Sequence, residues 1–167
     1  MEKLDTLLCT TKDGSEVFVD LDKSHAATHL KNNPGLKDLV VQILKESNAE
    51  DFIKRTEVDT RRKIGTSDLV ETTDTDDIVY AKRLNRTKFT RFTKSQGPKP
   101  TTYLSIELTK ISDRKYQLYT AYPGRTTPPF PGEENETPES KPYWSKHALA
   151  WGKQEIQPGT ETKEVPW

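Results

Sequence analysis

The sharpest hydrophobic periodicity in the chain runs through Leu36, Leu39, Val40, Ile43 and Leu44. These positions follow the i, i+3, i+4 rule and predict one helix with a single apolar stripe. Asn33-Pro34-Gly35 precedes it, with Pro34 suited to the first helical position. Upstream, Ser24 predicts the cap of a short helix over 25–32, and Ser47-Asn48-Ala49-Glu50 reads as a capping box before Phe52 and Ile53. Before these, two short apolar-rich segments at 5–10 and 16–21 flank Asp13-Gly14, the signature of a hairpin turn. Beyond about residue 60 the period shortens to two, and strands are expected at 77–83, 87–94, 102–110 and 115–122. Leu104, Ile106 and Leu108 alternating with Ser105, Glu107 and Thr109 describe a half-buried antiparallel strand. Five prolines between Pro128 and Pro142, with Glu133, Glu134, Glu136 and Glu139 among them, exclude a central strand there. A last helix is expected at 141–150, carrying Tyr143, Trp144, His147 and Leu149.

The expected fold class is therefore α+β, with N-terminal helices packed on a curved, mainly antiparallel sheet. One domain over 1–155 is expected, followed by a polar tail over 156–167. The 167 residues fit one domain. Hydrophobic and charged residues each make up 31% of the chain, and mean hydropathy is −0.88, which predicts a modest core with long polar loops. Lys plus Arg equals Asp plus Glu at 26 each, so no whole-molecule field steers the chain toward polyanions. Any such site must be a local patch. Cys9 is the single cysteine, which makes an intramolecular disulfide impossible and a reducing compartment the simpler expectation. The first residues lack the basic and apolar regions of a leader, and no stretch approaches a membrane span, so a cytoplasmic protein is expected.

Candidate chemistry sits in three places. His25 and His29 are four apart, on one face of the predicted helix, and His147 is the third histidine of the chain. The pair could ligate a metal with His147, but His25-Ala26-Ala27-Thr28-His29 lacks the glutamate of the metalloprotease motif. Ordinary surface imidazoles and acid–base catalysts are the other readings, the latter because imidazole titrates near neutrality. Next, Ala81 to Pro100 holds seven basic residues and no acidic one, with Phe89 and Phe92 interleaved. Lys82, Arg83, Arg86, Lys88, Phe89 and Arg91 offer phosphate forks and a stacking surface, the minimum for an RNA site. A solubilising edge hairpin is the competing reading. Lastly, Thr120 and Tyr122 point the same way from a strand, and Arg125 follows the Pro123-Gly124 turn. Their converging hydroxyl, phenol and guanidinium groups suit a phosphate, although a structural turn would use the same residues.

Taken in order, Ser24 to Leu30, Gly65 to Glu71, Ile78 to Arg83, Phe89 to Phe92, Tyr119 to Arg125 and Trp144 to Leu149 resemble a widespread bacterial family. That family is similar to the barnase/EndoU/colicin/RelE superfamily of ribonuclease toxins. The resemblance covers roughly residues 20–151. It implies RNA cleavage without a metal or other cofactor: a base activates the ribose 2′-hydroxyl, cations steady the phosphate, and an acid protonates the leaving oxygen. It further implies His25 or His29 as base or acid, Arg91 as phosphate clamp, Thr120 and Tyr122 as orienting groups, and His147 as the other proton-transfer candidate. The neutral net charge suits a tRNA- or ribosome-directed enzyme better than a free-RNA binder, and such enzymes often have a neutralising protein partner. The alternative expectation is a non-catalytic module, phage or mobile-element borne, that holds nucleic acid or a protein through the basic hairpin.

Overall fold

The computed structural model describes residues 6–20, 30, 33, 35–152 and 154–167. In chain order the elements are β1 (Thr6–Thr10), β2 (Glu16–Val19), α1 (Leu36–Lys45), a 3-10 turn (Ala49–Phe52), β3 (Thr56–Asp59), β4 (Gly65–Ser67) and β5 (Leu69–Glu71). They continue with β6 (Ile78–Ala81), β7 (Thr90–Thr93), β8 (Lys99–Thr101), β9 (Tyr103–Ser112), β10 (Lys115–Pro123), α2 (Ser140–Trp144) and β11 (His147–Ala150). This overturns the expected helices-on-a-sheet class. The chain is mostly β, 38% strand against 13% helical, with one main helix and several sheets. The physical reason lies in the front half, where β1, β2 and β3 join strands from the back half instead of leaving that half to helices. The capping-box helix is a single 3-10 turn. The helix predicted at 141–150 stops at Trp144, and His147–Ala150 is a strand. The predicted 25–32 helix lies outside the described residues, apart from Leu30. Among the described residues, no helix is long and apolar enough to cross a membrane.

The chain divides into two compact units, Met1–Gly65 with Thr101–Thr126, and Thr66–Pro100 with Thr127–Trp167. The first holds a five-stranded sheet of order β1-β2-β10-β9-β3, in which β10 runs antiparallel to β9 and parallel to β2. Registers Leu118↔Leu108, Ala121↔Ile106, Tyr116↔Val17 and Val58↔Leu104 put the apolar positions of four strands on one face. Leu36, Val40 and Leu44 of α1 share that core, which is why its stripe is the clearest pattern in the sequence. Gly35 opens α1 at φ 90, a conformation open to glycine at little cost.

The second unit is a four-stranded sheet of order β5-β11-β7-β6. Here β11 pairs antiparallel with β5 and parallel with β7. Val79, Ala81 and Phe92 form a small core with Leu149, Trp151 and Ile156 against them. The tail joins this unit. Thr162 bridges Tyr80, Ile156 bridges Arg83, and the Trp167 ring meets Tyr80 edge-on at 5.1 Å.

Candidate functional site

Register assembles the second unit's site. In the β11–β5 ladder His147 lies directly opposite Glu71 and Leu149 opposite Leu69. Directly opposed residues share a face with Cβ atoms about 4.5–5.5 Å apart, so the two side chains leave the same face of the ladder. Glu71 is exposed and His147 half-buried. Two contacts with Tyr143, on α2 just before β11, fix the imidazole. The rings stack at 3.9 Å between centroids and 5° between planes, and Nδ1 lies 2.9 Å from the Tyr143 carbonyl. A carbonyl only accepts, so Nδ1 carries the proton and Nε2 is the nitrogen left for exchange.

Arg91 belongs to the same unit but plays a different part. It is 8% exposed, and its Nη1 donates to Thr72 Oγ1 at 2.8 Å and to the His147 carbonyl at 2.9 Å. The β11–β7 register aligns Leu149 with Phe92, so the side chain of Arg91 projects from the face opposite the His147 ring. Thr72, one residue beyond Glu71, is on the Arg91 side as well. The guanidinium therefore ties the ends of β5 and β11 together from behind the Glu71–His147 pair.

A line of rings leads from His147 to the basic hairpin. Tyr143 meets Trp144 edge-on at 5.2 Å, Trp144 stacks on Phe130 at 4.1 Å, and the Arg83 guanidinium sits 5.2 Å from the Phe130 centroid. Arg83 Nε donates to Thr90 Oγ1 at 3.1 Å. Burial, with the neighbouring Arg86 charge, pushes the Arg83 guanidinium below its ordinary value, and Glu133 opposes that shift. Lys82 Nζ lies 5.1 Å from the Phe89 ring centre. Arg86 and Lys88 are exposed at the hairpin tip.

The remaining predicted residues belong to the first unit. Thr120↔Glu107 and Tyr122↔Ser105 put both hydroxyl residues on the sheet face away from its apolar core. Thr120 is 5% exposed. Arg55 joins this face: Nε meets Glu107 Oε1 at 3.0 Å, and Nη1 donates to Tyr122 Oη at 3.4 Å. Arg125 pairs with Glu57 at 2.9 Å and lies over the Tyr103 ring at 4.4 Å. This is an ion-paired polar face whose cations already meet carboxylates. His25 and His29 lie outside the described residues. Among the described residues, no three His, Cys, Asp or Glu side chains group to hold a metal ion.

Of the expected set, Arg91, His147 and the 82–89 hairpin come together in one unit, while Thr120, Tyr122 and Arg125 belong to the other. Sequence reasoning passed over Glu71, one of several acids in a polar segment, and Arg55 and Glu107. Only strand register reveals them. Comparison of the chain with protein-family models, with curated proteins and with solved structures gives no match.

Proposed function

We propose that this chain is an endoribonuclease that cleaves RNA by metal-independent acid–base catalysis, with Glu71 and His147 as its proton-transfer pair. The observation that carries the reading is the direct Glu71↔His147 register, together with the Nδ1 contact that leaves Nε2 for proton exchange. In the proposed reaction the Glu71 carboxylate accepts the proton of a ribose 2′-hydroxyl. The freed oxygen attacks the adjacent phosphorus. The bond to the 5′-oxygen breaks as His147, which in this scheme enters as imidazolium with Nδ1–H held on the Tyr143 carbonyl, delivers its Nε2 proton to that oxygen and is left neutral, giving a 2′,3′-cyclic phosphate and a 5′-hydroxyl. Arg83, Arg86 and Lys88 supply cations for the strand, and Phe89 supplies an aromatic face. In this reading Arg91 is a positioning residue that holds β5 and β11 in register. The neutral net charge favours a target presented by tRNA or a ribosome over free RNA, and a neutralising protein partner fits the same reading.

The test is incubation of the purified protein with total RNA in chelator, followed by end-group analysis. Wild type should give 2′,3′-cyclic ends. Glu71→Gln and His147→Ala should each slow cleavage by about 10²–10⁴ without altering tryptophan fluorescence. Equal cleavage by all three proteins would remove the proposal. The second reading, a non-catalytic RNA-binding module, rests on the cations and rings of the hairpin. Retention of RNA without cleavage, weakened by Arg86→Ala, would select it.

A further inference from the structure

In the second unit, the hairpin tip at Asn85–Lys88 faces the acidic proline-rich loop at Gly132–Asn135 across a cleft of about 510 Å³. That volume lies within the usual range for small-molecule sites. Its two walls differ in charge. Arg86 and Lys88 come from the hairpin, Glu133 and Glu134 from the loop, and Asn85 and Asn135 add amides. Among the described residues, none of the four charged side chains forms a salt bridge, and none donates or accepts a side-chain hydrogen bond. Surface charges such as these are ordinarily solvated; set on facing walls, they offer both signs to a bipolar ligand.

The walls are built from within. Gln157 Nε2 donates to the carbonyls of Arg83 and Arg86 at 3.0 and 2.7 Å, fixing the hairpin side. On the loop side, Glu136 Oε1 accepts from the Gly132 amide at 2.7 Å, and the Glu133 amide donates to the Phe130 carbonyl at 3.2 Å. Asn85 at φ 63 and Gly132 at φ 88 turn the two tips. A Cβ on Gly132 would stand 3.5 Å from Lys88 Cδ, which shows how near that stem runs to the opposite tip.

We propose that this cleft is a nucleotide subsite that reads the base of an RNA strand. Arg86 and Lys88 take the phosphate. Glu133 and Glu134 take N–H donors of the base edge, because a carboxylate only accepts. Guanine offers two adjacent donors, while adenine and cytosine each offer an exocyclic amine. Uracil offers one N–H flanked by two carbonyls that repel a carboxylate. The cleft thus favours amino-bearing bases over uracil. The inference takes its substrate class from the ribonuclease reading, but the site is separate from the Glu71–His147 pair and is testable without cleavage.

The experiment is a titration of the full chain with each of the four 3′-mononucleotides, followed by NMR or calorimetry. GMP, AMP and CMP should bind more tightly than UMP by about fivefold or more, the lower end of what a good base-edge contact discriminates. Glu133→Gln with Glu134→Gln should erase that preference. Arg86→Ala with Lys88→Ala should bring nucleotide affinity down to that of the nucleoside. Equal affinity for the four bases in wild type, or a preference untouched by the glutamine pair, would overturn the subsite. If no mononucleotide binds yet RNA is still cleaved, the subsite fails and the ribonuclease reading stands. If base-selective binding is seen and RNA stays intact, the subsite stands and the ribonuclease reading fails.

Discussion

Replacing Arg91 separates a structural role from a chemical one. Its Nη1 makes two hydrogen bonds, at 2.8 Å to Thr72 and 2.9 Å to the His147 carbonyl, and the side chain is 8% exposed. Hydrogen bonds involving a charged partner contribute about 1.5–3 kcal/mol each, so Arg91→Ala loses about 3–6 kcal/mol from the bonds, of which relief of the buried, unpartnered Nε returns part. The void left by the buried stem adds to that loss. Set against a typical total of about 5–15 kcal/mol, this is a large share. Arg91→Lys keeps the charge but not the fork, and should lose about half as much. The assay is built into the chain, since its three tryptophans, Trp144, Trp151 and Trp167, all belong to the second unit. Urea unfolding followed by tryptophan fluorescence therefore reports that unit. With a urea slope of about 1–2 kcal/mol/M, the Arg91→Ala midpoint should fall by about 1.5–3 M. A midpoint within ~0.5 M of wild type would refute the clamp and return Arg91 to the candidates for phosphate contact.

Two titrations test the electrostatics. Tyr116 is 2% exposed and donates to Glu50 Oε1 at 2.6 Å, and the bond to that carboxylate, reinforced by burial, pushes its phenol up to about 12. With the folded value raised, the associated stability is fully present below about pH 10 and is lost as pH climbs toward about 12. Tyrosinate absorbance should show one late-titrating phenol, and Glu50→Gln should bring it earlier; an unchanged curve would count against the pair. Asp76 is held below the ordinary carboxylate range, first by the Ser95 hydroxyl at 2.6 Å and then by the Thr73 amide at 2.8 Å. With the folded value depressed, its contribution is present above the ordinary carboxyl range and disappears as pH falls through the lowered value. Carboxyl NMR should find Ser95→Ala moving the Asp76 midpoint upward, and no movement would rule out the hydroxyl as the main cause.

Local patterns were legible where one face of an element meets the core. The α1 stripe and the Leu104, Ile106, Leu108 alternation both mark buried positions, because helix and strand periods repeat within a few residues. Pairing between distant segments has no such local mark. Nothing in Thr6–Thr10 or Thr56–Asp59 announces that these strands border a sheet completed by β9 and β10. The segment 141–150 misled because Tyr143, Trp144 and His147 have helical spacing. Exposed Ser145 and Lys146 end the helix instead, and His147–Ala150 alternates half-buried with buried positions, as a strand does. Arg91 misled for a related reason. A run of cations reads as solvated surface, yet all four residues of Thr90–Thr93 are buried. The strand itself was expected, within 87–94, but a polar strand enclosed on both faces carries no hydrophobic pattern to reveal its burial.

That enclosure bears on how a catalytic pair could be held at the end of a short sheet. Both β5 and β11 are brief, three and four residues, and His147 starts one while Glu71 ends the other. Strand ends fray unless something beyond the ladder fastens them. Three fastenings converge here. Arg91 bonds Thr72 and the His147 carbonyl, Gln96 Nε2 donates to the Glu71 carbonyl at 2.9 Å, and the Thr72 amide donates to the Lys146 carbonyl at 2.7 Å. All three act on backbone or on Thr72, and leave the Glu71 carboxylate and His147 Nε2 for other work. Bonds of this kind satisfy the backbone of any strand end. Under the proposed reaction the same bonds would also keep the two proton carriers at one spacing.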